Sequence, residues 1–358
     1  MRLPLFLYAL FFTVQSISAQ TAKELNEDFI LIAADSIVNS NFSGIIAVNT
    51  LDGNTEFFVG GMANRELEQP VDENQLFNLL SLGKSLTAAV IVKLAQEGKL
   101  ELSDTIGKYL PDREIPNQDK ITIKQLLSHT SGLGDYMNTE DFYALPGSKV
   151  NIESLLSIIE KQPVQKEPGE SFVYSNSGYI VLGALIEAVE GDRYKDILRE
   201  KILGPVGIKR NGFSIEDKYV KYYLAESSEP VNDKFPPASS DGGIWMSAND
   251  LSKFLSFLFS DQFTEESRSL LFNRIFQFPD RGERKNGGLA SSFLVYEYPG
   301  EVKVIGNNGG YKGSTYSAFR ILYNQKGETV MATVLSNQKD TAGPAMRALE
   351  EEIKNVLQ

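Results

Sequence analysis

Residues 77–90 read FNLLSLGKSLTAAV, and two incompatible chemistries can be drawn from them. Gly83-Lys84-Ser85 looks like the end of a phosphate-binding loop. Ser81-Leu82-Gly83-Lys84 looks like the nucleophile and base of a serine acyl-transfer enzyme. A phosphate loop follows the pattern G-x-x-x-x-G-K-S/T, in which the first glycine lets the backbone curl around the phosphates. Five residues before Gly83 stands Asn78, and the residues between them include no glycine. The nucleotide reading fails on geometry.

Serine and lysine three residues apart share one face of a helix. At about 100° per residue, Lys84, Ser85, Ala88 and Val92 fall near the side that carries Ser81, while Lys93 and Glu97 point away. Lys84 is therefore expected among small and apolar neighbours, where burial disfavours an ammonium and can make a lysine a base. The helix start adds positive potential near Ser81, useful to a developing oxyanion. The spacing alone is not specific. A second match, Ser336-Asn337-Gln338-Lys339, follows the strand-like MATVLS and sits in an expected loop that fixes neither side chain. On these residues alone Ser81 is as readily a helix cap.

The rest of the chain narrows the choice. One Arg precedes an apolar run from Leu3 to Val14, then small and polar residues up to Ala19. That is the pattern of a secretory signal peptide over 1–19, and the run is shorter than the roughly 20 residues that span a bilayer. The expected product is an exported catalytic domain over 20–358 with no stable membrane anchor. There is no cysteine, so disulfides, thiolate nucleophiles and Cys-ligated zinc are excluded. With 42% hydrophobic residues the chain is large enough to rely on its own core. A formal charge of −12 argues against nucleic acid as a partner. His129 is the only histidine, which excludes two-His metal sites and makes a histidine base improbable. No metal or organic cofactor is implied, and nothing sets the oligomeric state.

Patterning predicts helices at Lys23–Asn39, Leu82–Glu97, Ile152–Lys161, Gly178–Glu190, Ala248–Phe259, Glu265–Ile275 and Ala345–Leu357. It predicts strands at Phe42–Asn49 and Thr55–Gly60, joined by the Asp52-Gly53 turn, then Ala290–Tyr298, Val302–Ile305, Thr315–Tyr323 and Thr329–Leu335. An early hairpin cannot form a stable sheet alone, so its partners are the late strands. The expected fold is α+β: an antiparallel sheet (about 22–62 and 286–358) flanked by terminal helices, plus an inserted mostly helical lobe (about 63–285). The site belongs in the cleft between the two.

Four blocks then occur in order: FNLLSLGKSLTAAVIVKLAQEGKLELSDTIGKYLP, ITIKQLLSHTSGL, PGESFVYSNSGYIVLGALIEAVEG and DGGIWMSANDLSKFLSFL. Together they resemble the serine β-lactamase family in its broad sense. That family includes class C β-lactamases, penicillin-binding DD-peptidases, and related esterases and D-amino-acid peptidases. The resemblance runs from about Phe42 to Leu335. It implies a transpeptidase-like fold with Ser81 as nucleophile and Lys84 beside it. It implies further that Tyr174 of Tyr174-Ser175-Asn176 helps proton transfer, and that Asn176 binds substrate or holds Lys84. The family's third element, a strand motif Lys-Thr-Gly or His-x-Gly, falls on Asn307-Asn308-Gly309, and the oxyanion hole on the backbone N–H groups of Ser81 and Gly310.

Each element also has a plain reading. Tyr136-Met137-Asn138 fits Tyr-x-Asn as well, Tyr174 alone would be a half-buried tyrosine, and Asn307 to Gly310 alone would be a tight hairpin turn. His129, in LLSHTSGL, reads as a structural residue ending a helix and bonding backbone carbonyls. Gly242-Gly243 lets the chain pass close to the site or is a simple turn. One departure matters: Asn307 stands where the family has a cationic or ionisable residue. A substrate carboxylate would lose a charge-assisted contact worth about 1.5–3 kcal/mol, which favours neutral esters or amides. The expected function is an exported serine hydrolase acting through an acyl-enzyme on an ester, amide or β-lactam carbonyl of a small molecule or peptide. Whether Lys84 or Tyr174 is the base stays open, and so does the alternative of a catalytically weak or inactive penicillin-binding-type sensor or binding protein.

Overall fold

The computed structural model describes residues 41–50, 55–209, 212–213, 219–223, 229–232 and 235–358. The expected signal peptide, the Lys23–Asn39 helix and the Asp52-Gly53 turn lie outside them. Eight strands form one antiparallel sheet: β1 (Gly44–Thr50), β2 (Thr55–Gly60), β3 (Phe276–Gln277), β4 (Lys285–Leu289), β5 (Leu294–Tyr298), β6 (Val302–Tyr311), β7 (Ser314–Tyr323) and β8 (Thr329–Ser336). Their spatial order is β2-β1-β8-β7-β6-β5-β4-β3, so the early hairpin adds to the last strand, with Gly44 opposite Ser336.

Alternation along each strand splits the side chains between two layers. Ile45, Ala47, Phe319, Ile321, Met331 and Leu335 face the larger core. Ile46, Val48, Ala318, Leu322, Ala332 and Val334 face the other side, which the helix α6 (Ala342–Leu357) covers with Ala345, Met346, Leu349, Ile353 and Leu357. That spacing of three and four residues is the apolar stripe of a helix lying on a surface.

The larger core belongs to the helical residues between β2 and β3. Its principal helices are α1 (Gly83–Gln96), α2 (Ile152–Ile159), α3 (Asn176–Glu190), α4 (Ala248–Phe257) and α5 (Glu265–Phe272). α1 is buried on nearly every side, as befits a helix apolar all round. α3 ends as its sequence requires, with Gly191 in the left-handed region at φ 75° and its N–H on Glu187. Among the described residues no helix is long and apolar enough to cross a membrane.

The third element is a strand, as the resemblance implies, and the plain alternative fails. Asn307 to Gly310 is not a hairpin turn but the continuation of β6, paired with β7 from Gly306–Arg320 to Gly309–Ser317. Asn-Gly dipeptides signal turns because they tolerate unusual backbone angles. Here the glycine serves close approach instead: a Cβ on Gly309 would sit 2.2 Å from Ser317 Oγ and 2.3 Å from the Leu79 carbonyl. A bulge follows between Gly309 and Gly310.

Candidate active site

Ser81 sits in a single 3₁₀ turn, Leu80–Leu82, that leads into α1. Leu80 has φ 50°, a costly conformation for a bulky residue that survives only where surroundings enforce it. Asn78 Oδ1 accepts the Leu80 N–H at 2.8 Å, and the Gly243 N–H donates to the Leu80 carbonyl at 3.1 Å. Ser317 Oγ donates to the Leu79 carbonyl at 2.8 Å. A Cβ on Gly242, at φ 143°, would lie 2.4 Å from the Leu80 carbonyl oxygen. The Gly242-Gly243 pair thus closes a turn with Ser239 and also lets the chain press against the Ser81 turn.

Lys84 is 2% exposed, but its surroundings are less apolar than the helix pattern predicts. Its Nζ donates to Asn176 Oδ1 at 2.7 Å, to the Asp241 carbonyl and to Ser81 Oγ at 3.4 Å. The rings of Tyr174 and Tyr179 lie 5.2 and 5.5 Å away. Three acceptors match the three N–H groups of a lysine ammonium. Tyr174 Oη is closer to the nucleophile, donating to Ser81 Oγ at 2.8 Å. Ser81, Lys84, Tyr174 and Asn176 therefore converge on one point.

Asn176 is the first residue of α3, whose N-cap Ser175 bonds the Gly178 N–H. Its amide is fixed by Asp135, with Nδ2 2.8 Å from Oδ2, so Oδ1 is turned towards Lys84. Tyr136 belongs to the site although its Tyr-x-Asn triplet does not act as such: it is buried, and its hydroxyl donates to Asp241 Oδ2 at 2.8 Å. Burial pushes the Asp241 carboxyl up, and the nearby Lys84 charge pulls it back less strongly. Asp135 and Asp241 escaped the sequence reading because they act on Lys84 through an amide and a main-chain carbonyl, and Tyr136 entered it only as a second Tyr-x-Asn match.

His129 is structural, as expected, but its bond runs the other way. Its Nδ1 accepts the Ser175 N–H at 3.3 Å rather than donating to a carbonyl, and its ring stacks on Tyr174 at 4.4 Å. Burial, and secondarily the Lys84 charge, lowers the imidazole from 6.5 to about 3. The unfolded chain then takes up the proton first, so the stability His129 contributes is present above pH 6.5 and is lost as pH falls towards 3. The urea midpoint is expected to drop between about pH 7 and pH 4, and to drop less in His129→Gln. An equal drop in both proteins would assign the effect to other groups.

Asn307 lies on the site face of β6, but its polar atoms are engaged. Nδ2 donates to Ser85 Oγ at 3.0 Å and Ser292 Oγ at 3.3 Å, and Oδ1 accepts the Asn308 N–H at 2.8 Å. It fastens β6 to α1. Gly309, the residue before Gly310, presses on Leu79 and Leu80 of the Ser81 turn. The second S-x-x-K does not assemble: Ser336 Oγ bonds the Ser43 carbonyl and Thr341, and Lys339 pairs with Asp340 at 3.7 Å. Among the described residues no group of three or more His, Asp or Glu could hold a metal ion.

The family model described as Beta-lactamase matches residues 19–354. A penicillin-binding protein of Bacillus subtilis is 27% identical over 304 residues, covering 78% of this chain and 64% of that protein. The chain spans less than two thirds of the length of this and other curated relatives it matches. Among solved structures, a penicillin-binding protein of Bacillus halodurans superposes with a TM-score of 0.77 at 22% identity, covering 89% of this chain and 99% of that one. The D-amino acid amidase of Ochrobactrum anthropi, in complex with L-phenylalanine amide, superposes with a TM-score of 0.74 at 22% identity over 92% and 99%. At these identities the likenesses establish the shared fold.

Proposed function

Because the chain belongs to the Beta-lactamase family, whose serine hydrolases work on amide and β-lactam carbonyls, we propose that it is an exported serine hydrolase forming an acyl-enzyme at Ser81, with a neutral ester or amide as substrate. The observation that carries this reading is the convergence of Tyr174 Oη and Lys84 Nζ on Ser81 Oγ. Ser81 Oγ attacks the carbonyl carbon, and its proton passes to the Tyr174–Lys84 pair. Tyr174 Oη is the nearer of the two to Ser81 Oγ, and the pair accepts the proton with one member unprotonated, as a Tyr174 phenolate beside the Lys84 ammonium or as a neutral Lys84 amine. Backbone N–H groups of Ser81 and Gly310 receive the oxyanion. The pair returns the proton to the leaving alkoxide or amine, and a water molecule repeats the cycle to release the acid.

Two features favour a neutral, apolar acyl group. Asn307 carries no charge and spends its donors on Ser85 and Ser292. Tyr174, which reaches the nucleophile, stays 43% exposed, and Phe172, two residues before it, 38%. Asn307→His is expected to raise kcat/KM for a carboxylate-bearing ester at least tenfold relative to its neutral analogue, matching a charge-assisted hydrogen bond of about 1.5–3 kcal/mol. Unchanged selectivity would leave Asn307 as a fastener only. Export rests on the Leu3–Val14 run, and a secreted product beginning at Gln20 tests it.

The reaction class is tested by intact mass and peptide mapping after separate exposure to a fluorophosphonate and a penicillin. An adduct on Ser81 with the fluorophosphonate alone supports an esterase or amidase. Adducts with both extend the substrates to β-lactams. No adduct with either returns the chain to the sensor alternative, which the engaged Asn307 amide also fits.

A further inference from the structure

Two charged residues are buried on the face of the sheet that packs against α6, away from Ser81. Glu350 is 1% exposed and Arg320 6%. Arg320 Nε donates to Glu350 Oε2 at 3.0 Å. Glu350 Oε1 accepts the hydroxyls of Tyr296 at 2.6 Å and Tyr298 at 2.5 Å, and Nη2 of Arg284 at 2.9 Å. Burial pushes the Glu350 carboxyl up, but Arg320, the two tyrosines and Arg284 outweigh it and hold the group below its ordinary value. Buried ion pairs of this kind add little stability over apolar residues of similar size. Stability alone does not explain this one.

The other end of Arg320 reaches the site. Its Nη1 donates to the Asn307 carbonyl at 3.2 Å, to Asn308 Oδ1 at 3.1 Å and to the Phe319 carbonyl at 2.7 Å. The β6 segment it touches needs an external hold. Pairing with β5 stops at Gly306, so from Asn307 onward β6 has one ladder partner, and a bulge interrupts even that at Gly309/Gly310. Gly306, directly opposite Arg320, makes the crossing possible: a Cβ there would lie 2.6 Å from Arg320 Cδ and 2.8 Å from Nη1.

We propose that Arg320 is a positioning residue that fixes the Asn307–Gly310 segment from behind the sheet, with Glu350 setting the angle of its guanidinium. Resting on the acyl-enzyme reading above, it makes α6 part of what holds the Gly310 oxyanion donor in register. The transition state needs that register more than substrate binding does, so the loss should appear in kcat and not in KM.

The experiment measures p-nitrophenyl acetate hydrolysis per Ser81 titrated to completion with a fluorophosphonate, which removes any misfolded fraction from the comparison. The double variant Arg320→Met/Glu350→Gln deletes both charges and leaves neither stranded. Gly306→Ala displaces the guanidinium while every charge remains. Both are expected to lose roughly tenfold to a hundredfold in kcat, with KM within about twofold of wild type. Combining Gly306→Ala with Arg320→Met should add little to the loss from either alone. If Ser81 titrates in all variants and kcat stays within about twofold, Arg320 is structural only and the proposal falls. A fall in kcat matched by a rise in KM of the same size overturns it too, because the segment would then be a binding surface. A wild type whose Ser81 does not titrate removes the acyl-enzyme reading itself, and the role of Arg320 with it.

Discussion

Ser81→Ala is expected to remain folded and to lose ester hydrolysis by about 10⁴-fold or more, the scale set by deleting a catalytic nucleophile. The removed Oγ contacts Tyr174 Oη and Lys84 Nζ. Lys84 keeps two other acceptors, and Tyr174 is 43% exposed and keeps access to water. The site is partly open, so no cavity is left, and alanine suits the helical turn at least as well as serine. Turnover of p-nitrophenyl acetate and intact mass after fluorophosphonate check the two halves of the expectation. Activity above about one percent of wild type, or an adduct of undiminished yield, would mean that another residue is the nucleophile.

Lys84→Met is expected to cut acylation by about 10³-fold or more, on the scale of removing a member of a catalytic unit, and here the cost reaches the fold as well. The side chain is buried and of similar length, so methionine fills the space. The Asn176 amide oxygen and the Asp241 carbonyl, however, each lose a donor where water has little access. A buried acceptor left unpaired costs about 1–3 kcal/mol. A modest fall in thermal midpoint is expected, with far-UV signal retained. Single-turnover acylation separates the effects: a rate within tenfold of wild type would remove Lys84 from the proton-transfer pair, whatever the midpoint does.

The nucleophile and its lysine were readable because a three-residue spacing on a helix is a local rule. The outer elements were readable too: β1 with β8, and the apolar stripe of α6, follow from period and length. The third element was legible only through the family resemblance, since Asn307-Asn308-Gly309-Gly310 has turn-forming composition. What makes it a strand is the ladder to β7 and the close approach of Gly309 to Leu79, both tertiary effects that override propensity. The lysine's partners were illegible for another reason. Asp241 offers Lys84 a main-chain carbonyl, which any residue could supply, and Asp135 works through Asn176 from 41 positions away. The sense of the His129 bond depends on a tautomer, and no spacing rule reports one.

The position of β8 has a kinetic consequence. It is a central strand, between β1 and β7, yet it comes last in the chain among the described strands of the sheet. The Ser336 hydroxyl that closes its end bonds a carbonyl 293 residues earlier in the chain. Pairings so distant in sequence make the entropy of closing a long loop part of the folding barrier, and folds dominated by them form slowly. During synthesis β1 and β2 must therefore wait, their inner edge unpaired, until β8 has emerged. Under the export proposed above, such a delay would be an advantage, because the sheet cannot close until β8 arrives.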